Sequence, residues 1–349
     1  MKKTRVMIVE DSAVVTALLE YTIGRDPRLE VCATASNAED ALERLEQLSP
    51  DVIAMDIRLP GIDGIEATRR IMSKKPVPIV VVTASVHPGA WDRTVMEALR
   101  AGALTVIDKP PGTTSADFET MADRLCTQLF IMSQVKLVRR SRGDLLHRAN
   151  GHIPQALKNL GRCGGYEMLG IASSTGGPNA LVQLLGDLGP AFPLPILLVQ
   201  HMTANFLDAF ASWLDSVCPC PVIVASDGCL PVAGTAHMAP AGKHLRLDGG
   251  RLWLDDGVPI SFQRPSGTVL FQSMARDLGT NAMGALLTGM GEDGALGLLD
   301  IRRSGGYTIA EDESTAVVYG MPAAAVRMGA VCESLPLPAI AARISELVS

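Results

Sequence analysis

Met168-Leu169-Gly170-Ile171-Ala172-Ser173-Ser174-Thr175-Gly176-Gly177-Pro178 is a short apolar run that breaks into two serines, a threonine and a glycine pair. The run reads as a buried parallel strand that stops abruptly and passes into a helix starting near Pro178. Pro is tolerated in a first helical turn, and Gly accepts a sharp backbone. Such a turn lifts a hydroxyl above the sheet edge and leaves free N–H groups at a helix N-terminus, where an oxyanion or a phosphate can be held. Taken alone it reads as a helix cap supplied by Ser173 or Ser174. The neighbouring sequence decides between cap and nucleophile.

Working outward, the same pattern of strand then polar residue recurs twice. Pro195 to Val199 runs into Gln200-His201-Met202, and Ala282 to Leu287 runs into Thr288-Gly289-Met290-Gly291-Glu292-Asp293-Gly294. A Ser, a His and an Asp thus each follow the carboxyl end of a separate strand, which suits a nucleophile, a base and an orienting acid at one sheet edge. Of the six histidines, His201 alone directly follows a long apolar run. His87, His147 and His152 fall elsewhere, and His237 and His244 flank a β-hairpin reading, His244 to Leu247, Asp248-Gly249-Gly250, Arg251 to Leu254. The order Ser, His, Asp and the absence of a Gly-x-Ser-x-Gly elbow exclude the α/β-hydrolase arrangement.

The first third carries its own pattern. Arg5 to Val9, Val52 to Met55, Ile79 to Val82 and, more weakly, Leu104 to Ile107 are apolar runs separated by helical stretches such as Ala38 to Leu48 and Ile65 to Met72. These are βαβ units around a parallel sheet. The runs end at Glu10-Asp11, Asp56, Thr83 and Lys109, so these residues converge beyond the strand ends, where open α/β sheets bind ligands. Three carboxylates gathered there repel one another unless a hard cation lies between them, and oxygen ligands suit magnesium. Lys109 and Thr83 suit phosphoryl oxygens.

Over residues 4 to about 125 this set resembles the receiver domain of two-component response regulators. The resemblance implies Asp56 as phospho-acceptor, Glu10, Asp11 and Asp56 as Mg2+ ligands, and Thr83 and Lys109 as phosphoryl-binding residues. Val106 stands three before Lys109, where receivers often carry an aromatic switch residue, and Glu10 replaces the more usual Asp. The second half, with Ser174-Thr175-Gly176-Gly177, Gln200-His201-Met202 and Thr288 to Gly294, resembles the chemotaxis protein-glutamate methylesterase family, CheB. Met238 to His244, Arg264-Pro265-Ser266 and Tyr319 to Pro322 extend the match, while Gln263 and Gly267-Thr268 depart from it. The resemblance implies Ser174 as nucleophile, His201 as base and Asp293 as orienting acid, with Ser173 a neighbour only. The N–H groups near Thr175 and Met290 are candidates for the oxyanion hole.

Together these give an α/β chain: a flavodoxin-like doubly wound receiver (4–125), a helical extension and linker (126–164), and a doubly wound α/β esterase domain with a β-hairpin (165–349). The expected activity is phosphorylation-activated hydrolysis of glutamate methyl esters on methyl-accepting chemoreceptors, with glutamine deamidation as a second reaction. A CheA-type histidine kinase is the expected phosphodonor, and no cofactor is expected for ester hydrolysis. The rival is a two-component regulator whose second domain is a phosphate- or nucleotide-binding module or a scaffold. It lacks a Gly-Lys-Ser/Thr loop and leaves His201 and Asp293 unexplained.

Bulk properties narrow the field. With 349 residues the chain is long for one core, and 47% hydrophobic with 19% charged residues describes a soluble globular protein. A net charge of −6 argues against nucleic acid as a partner, and Arg139, Arg140, Arg142 and Arg148 read as a solvated linker face because no aromatic residues are interleaved. No apolar run approaches the ~20 residues of a membrane span, and no signal peptide precedes the first strand, so the expected location is cytoplasmic. Seven scattered cysteines read as reduced, buried thiols.

Overall fold

Each apolar run named above forms a strand, and the polar residue that closes it lies at the strand's carboxyl end. The computed structural model describes residues 2–83, 91–135, 165–202 and 204–349, and the chain divides into two units, Met1–Arg139 and Arg140–Ser349.

The first unit runs β1 (Thr4–Val9), α1 (Ala13–Gly24), β2 (Leu29–Ala35), α2 (Ala38–Leu48), β3 (Val52–Met55), α3 (Gly64–Lys74), β4 (Ile79–Thr83), α4 (Trp91–Ala101), β5 (Thr105–Asp108) and α5 (Phe118–Ser133). Its parallel sheet has the order β2-β1-β3-β4-β5, which reverses direction at β1 and β3 and opens a crevice at their carboxyl ends. The helices start where the sequence offers caps. Asn37 accepts from Asp40 N–H, and Asp63 accepts from Glu66 N–H, both at 2.8 Å.

Two differences from the sequence reading have physical causes. Strand β2 was not recognised because it is an edge strand, half-exposed along its length, and so lacks a continuous apolar run. The helical extension expected from residue 126 starts earlier, as α5 over Phe118–Ser133, and it buries Cys126, Leu129 and Met132 as well as Leu125. It therefore crosses the boundary placed at residue 125, and the basic run and the tether expected after it lie outside the described residues.

The second unit contains β6 (Met168–Ser173), α6 (Gly177–Leu188), β7 (Ile196–Gln200), α7 (Ala204–Val217), β8 (Val222–Val224), β9 (Ala236–Met238), β10 (His244–Asp248), β11 (Arg251–Asp255) and α8 (Gly267–Leu278). It continues with β12 (Ala282–Leu286), α9 (Ala295–Arg303), β13 (Tyr307–Glu311), α10 (Met321–Arg327), β14 (Glu333–Leu335) and α11 (Leu337–Val348). Seven parallel strands are ordered β14-β13-β12-β6-β7-β9-β8, and β10 and β11 form the antiparallel hairpin read from sequence. β6, β7 and β12 lie in the middle, buried on both faces. Leu181, Leu184 and Leu185 of α6 and Leu270, Phe271 and Met274 of α8 are fully buried, each contributing about 1.5–3 kcal/mol of transfer free energy.

Cys126 and Cys220 are buried; burial pushes the Cys126 thiol up to about 11 and that of Cys218 up to about 12, so these thiols are protonated at neutral pH. Among the described residues, no helix is long and apolar enough to cross a membrane.

Candidate active site

The register of the central strands places Ser174 and His201 side by side. Ser173 and Gln200, the last residues of β6 and β7, are partners in the ladder, so the next residue of each strand steps off the sheet at the same level. Backbone bonds continue past the strands: His201 N–H to Ser173 O at 2.9 Å, Leu287 N–H to Ala172 O at 2.9 Å and Ser174 N–H to Thr288 O at 3.0 Å. On the other side of β6, β12 therefore delivers the 287–293 segment to the same edge.

That segment brings Asp293 to His201. His201 Nε2 lies 2.8 Å from Asp293 Oδ2, with both side chains almost fully buried, and His201 Nδ1 is buried without a partner among the described residues. Asp293 also accepts from Ser266 Oγ at 2.6 Å, from Gly267 N–H at 2.6 Å and from Thr268 N–H at 3.3 Å. Burial alone would raise the Asp293 carboxyl, but the bonds from His201, Ser266 and Gly267 outweigh it and hold the group below its ordinary 3.8. An ionised Asp293 takes Nε2–H, which leaves Nδ1 as the basic nitrogen of the neutral ring.

Ser173 and Ser174 differ sharply. Ser173 is fully buried and donates to Gln200 Oε1 at 2.7 Å, while Gln200 Nε2 donates to the carbonyls of Ser174 and His201, both at 2.9 Å. Gln200 thus clamps the two strand ends together. Ser174 is half-buried at the turn, and α6 has Gly176 at its N-cap with no side-chain cap bond, so neither serine caps the helix. Gly176 has φ +80°, the left-handed conformation that lets the chain turn sharply after Ser174.

Thr175 is half-buried and Met290 exposed, and among the described residues no carbonyl takes either N–H. The loop carrying Met290 is pressed against the turn at Ser174. A Cβ on Gly289 would lie 2.8 Å from Ser174 Cβ and 2.3 Å from Met321 Sδ, closer than atoms can pack. Thr288 secures it, donating from Oγ1 to Thr175 O at 2.9 Å and from its N–H to the buried Glu311 at 2.8 Å.

Gln200, Ser266, His244, Thr288 and Glu311 are the site residues to which sequence reasoning assigned no role. His244 Nδ1 accepts from Ser266 N–H at 3.2 Å, and Ser266 caps α8 by accepting from Val269 N–H at 3.3 Å. The available signal was the Ser before the apolar run Val269-Leu270-Phe271, a helix start, which says nothing of Asp293.

In the first unit the polar residues converge at the crevice. Lys109 Nζ lies 2.7 Å from Glu10 Oε2 and 2.9 Å from Asp56 Oδ2, and Asp56 Oδ1 accepts from Ile57 N–H at 2.8 Å. Glu10 and Asp56 are buried, Asp11 is exposed, and one carboxylate oxygen from each lies within 4.8 Å of the others. Burial raises the Glu10 carboxyl despite Lys109. Lys109 is raised in turn: burial opposes its charge, and Glu10 and Asp56 more than restore it. Thr83, buried at the end of β4, receives Lys109 N–H on its carbonyl at 2.9 Å. This all-oxygen donor set fits a hard divalent cation such as Mg2+.

The family model described as CheB methylesterase matches residues 169–344. The chain is 54% identical over 346 residues, 99% of its length and 98% of the relative's, to protein-glutamate methylesterase/protein-glutamine glutaminase 2 of Paramagnetospirillum magneticum. The chain belongs to the CheB methylesterase family. The model of the response regulator receiver domain matches residues 6–116, which contain the Glu10, Asp11, Asp56, Thr83 and Lys109 cluster. A protein-glutamate methylesterase/protein-glutamine glutaminase of Nitrosospira multiformis is 40% identical over 99% of this chain and 97% of its own. The crystal structure of the Thermotoga maritima CheB methylesterase catalytic domain, 35% identical, covers 52% of this chain and 99% of its own with a TM-score of 0.51. The CheB assignment agrees with the fold of the second unit.

Proposed function

We propose that this chain is a phosphorylation-activated protein-glutamate methylesterase that acts on chemoreceptors and also deamidates receptor glutamines. The observation that carries the reading is the His201–Asp293 pair beside Ser174, at the carboxyl ends of adjacent central strands, in a chain closely similar to named methylesterases.

In the proposed reaction Ser174 Oγ attacks the γ-carbonyl of a glutamyl methyl ester while His201 Nδ1 takes its proton. Asp293 holds Nε2–H and stabilises the imidazolium that forms. The N–H groups of Thr175 and Met290 receive the charge that develops on the carbonyl oxygen. The tetrahedral intermediate expels methanol, which takes its proton from His201, and leaves Ser174 acylated. Water, deprotonated by the same Nδ1, then releases the glutamate. Glutamine follows the same course with ammonia as the leaving group.

In the receiver, Asp56 accepts the phosphoryl group from a CheA-type histidine kinase, and Lys109 and Thr83 hold its oxygens. Glu10, Asp11 and Asp56 would hold Mg2+, which supplies positive charge against the phosphoryl oxygens. The test is release of methanol from methylated receptor membranes by the purified chain, with and without a small phosphodonor. Release that Ser174→Ala abolishes supports the reading; no release from the wild type overturns it.

A further inference from the structure

The buried amide of Gln200 reaches the backbone of both Ser174 and His201. Nε2 gives one hydrogen to Ser174 O and the other to His201 O, each at 2.9 Å, and Oε1 accepts from the buried Ser173 hydroxyl at 2.7 Å. The two ends of the amide cannot be exchanged, because the flipped group would set Oε1 against two carbonyl oxygens. Nor can it slide. A Cβ on Gly177 would lie 2.1 Å from Oε1 and 2.8 Å from Ser173 Oγ, so the first turn of α6 is packed directly on the amide.

The bond to Ser174 O fixes the direction of a second group. Ser174 O also accepts from Gly177 N–H at 2.8 Å, closing a four-residue turn whose third residue, Gly176, has φ +80° and ψ −11°, the values of a type II turn. With two donors on it, that carbonyl has both lone pairs filled and a single direction. The Ser174–Thr175 peptide is planar and trans, so its N–H, that of Thr175, points opposite to the carbonyl and away from Gln200. Among the described residues no backbone carbonyl takes this N–H.

His201 depends on Gln200 less. Its N–H donates to Ser173 O at 2.9 Å and its imidazole is held by Asp293 at 2.8 Å, so two bonds remain when the amide is removed. The Ser174–Thr175 peptide keeps only the turn bond from Gly177.

Resting on the methylesterase reading, we infer that Gln200 is a positioning residue that aims the Thr175 N–H at the oxyanion formed when Ser174 attacks the ester. It touches no reacting atom. Its contribution is confined to the transition state, because the charge that the N–H receives develops only there.

The experiment compares wild type, Gln200→Met and Gln200→Glu on a small soluble ester, after circular dichroism has shown each to be folded at the assay temperature. Met fills the same length without a donor; Glu keeps the shape and replaces Nε2 by an oxygen facing two carbonyls. Loss of one oxyanion donor outright costs about 10^2- to 10^3-fold in kcat, so misdirecting it should lower kcat about 10- to 100-fold in Gln200→Met. KM and the acid limb of the kcat/KM pH profile should stay as in wild type, and Gln200→Glu should lose at least as much. A lowered melting temperature with kcat unchanged makes Gln200 a residue of stability and overturns the inference. So does failure of both variants to fold. A displaced acid limb also overturns it, by routing the effect through the His201 imidazole. All three results leave the methylesterase reading intact if wild type still releases methanol from methylated receptor membranes; absence of that release overturns both.

Discussion

His201 presents Nε2, not Nδ1, to Asp293: the Nε2 to Oδ2 distance is 2.8 Å and Nδ1 is buried without a partner among the described residues. The two ring nitrogens thus exchange the roles they have in the serine protease template, where the acid holds Nδ1. The exchange follows from direction of approach. His201 steps off β7 beside Ser174, while Asp293 arrives through the loop after β12 on the far side of β6.

Asp293→Asn should keep the hydrogen bond but permit the wrong tautomer, with the proton on Nδ1. A fall in kcat of about 10^4-fold is expected, measured on a small ester so that receptor docking does not intervene. The same variant isolates a pH effect. Because the Asp293 carboxyl is held below its ordinary 3.8, its ionised form stabilises the fold above that pH, and this stabilisation is lost as pH falls through the lowered native value. The stability difference between wild type and Asp293→Asn, followed by thermal unfolding from pH 5 downward, should shrink below pH 3.8. A constant difference would show that Asp293 titrates alike in both states.

The two serines should separate cleanly. Ser174→Ala removes the nucleophile, so turnover should drop by about 10^6-fold, as for other triad nucleophiles, with little change in melting temperature. Ser173→Ala instead strips a buried donor from Gln200 Oε1, which should cost about 1–3 kcal/mol of stability while acylation at Ser174 persists. Mass spectrometry after reaction with an activated ester identifies the acylated serine. Label on Ser173 would refute the assignment.

These residues differ in how far the sequence disclosed them. The convergence of Ser174, His201 and Asp293 on one sheet edge was legible because each closes or follows an apolar strand, and strand ends of a parallel sheet gather at one edge. Receiver residues Glu10, Asp56 and Lys109 were legible for the same reason. Strand β2 was not, since its half-exposed residues alternate irregularly and no continuous apolar run marks it. Nor was Ser266, whose contact with Asp293 depends on how α8 packs against the sheet edge. Its cap position predicts a helix start and carries no information about a carboxylate 27 residues later.

Ser266 is therefore the informative residue to change. It donates to Asp293 Oδ1 at 2.6 Å and caps α8, and its own N–H is held by His244. Ser266→Ala should lower kcat about 10- to 100-fold by loosening Asp293 against the imidazole, with KM for a small ester unchanged. Loss of the cap should also cost about 0.5–2 kcal/mol of stability. Equal falls in stability at unchanged kcat would confine Ser266 to the helix.

The receiver supplies the last test. Asp56 and Glu10 share one cation, Lys109 Nζ, at 2.9 and 2.7 Å, so the site holds more negative charge than its lysine can neutralise. A divalent cation on the carboxylates and a phosphoryl group on Asp56 bring opposite charges to that cluster, and each should favour the other. Labelling by a small phosphodonor should therefore require Mg2+, and Asp56→Asn should abolish it while leaving basal esterase activity in place. In the wild-type full chain the phosphodonor should raise receptor demethylation, and a coupling of ~1–3 kcal/mol corresponds to about a 5- to 150-fold change. Asp56→Asn should show no rise. If the phosphodonor accelerates Asp56→Asn as much as wild type, activation does not pass through Asp56. If wild type is labelled on Asp56 yet gains no activity, the receiver is phosphorylated without governing the esterase, and the weaker coupling expected from Val106 in place of an aromatic switch residue becomes the point to test next.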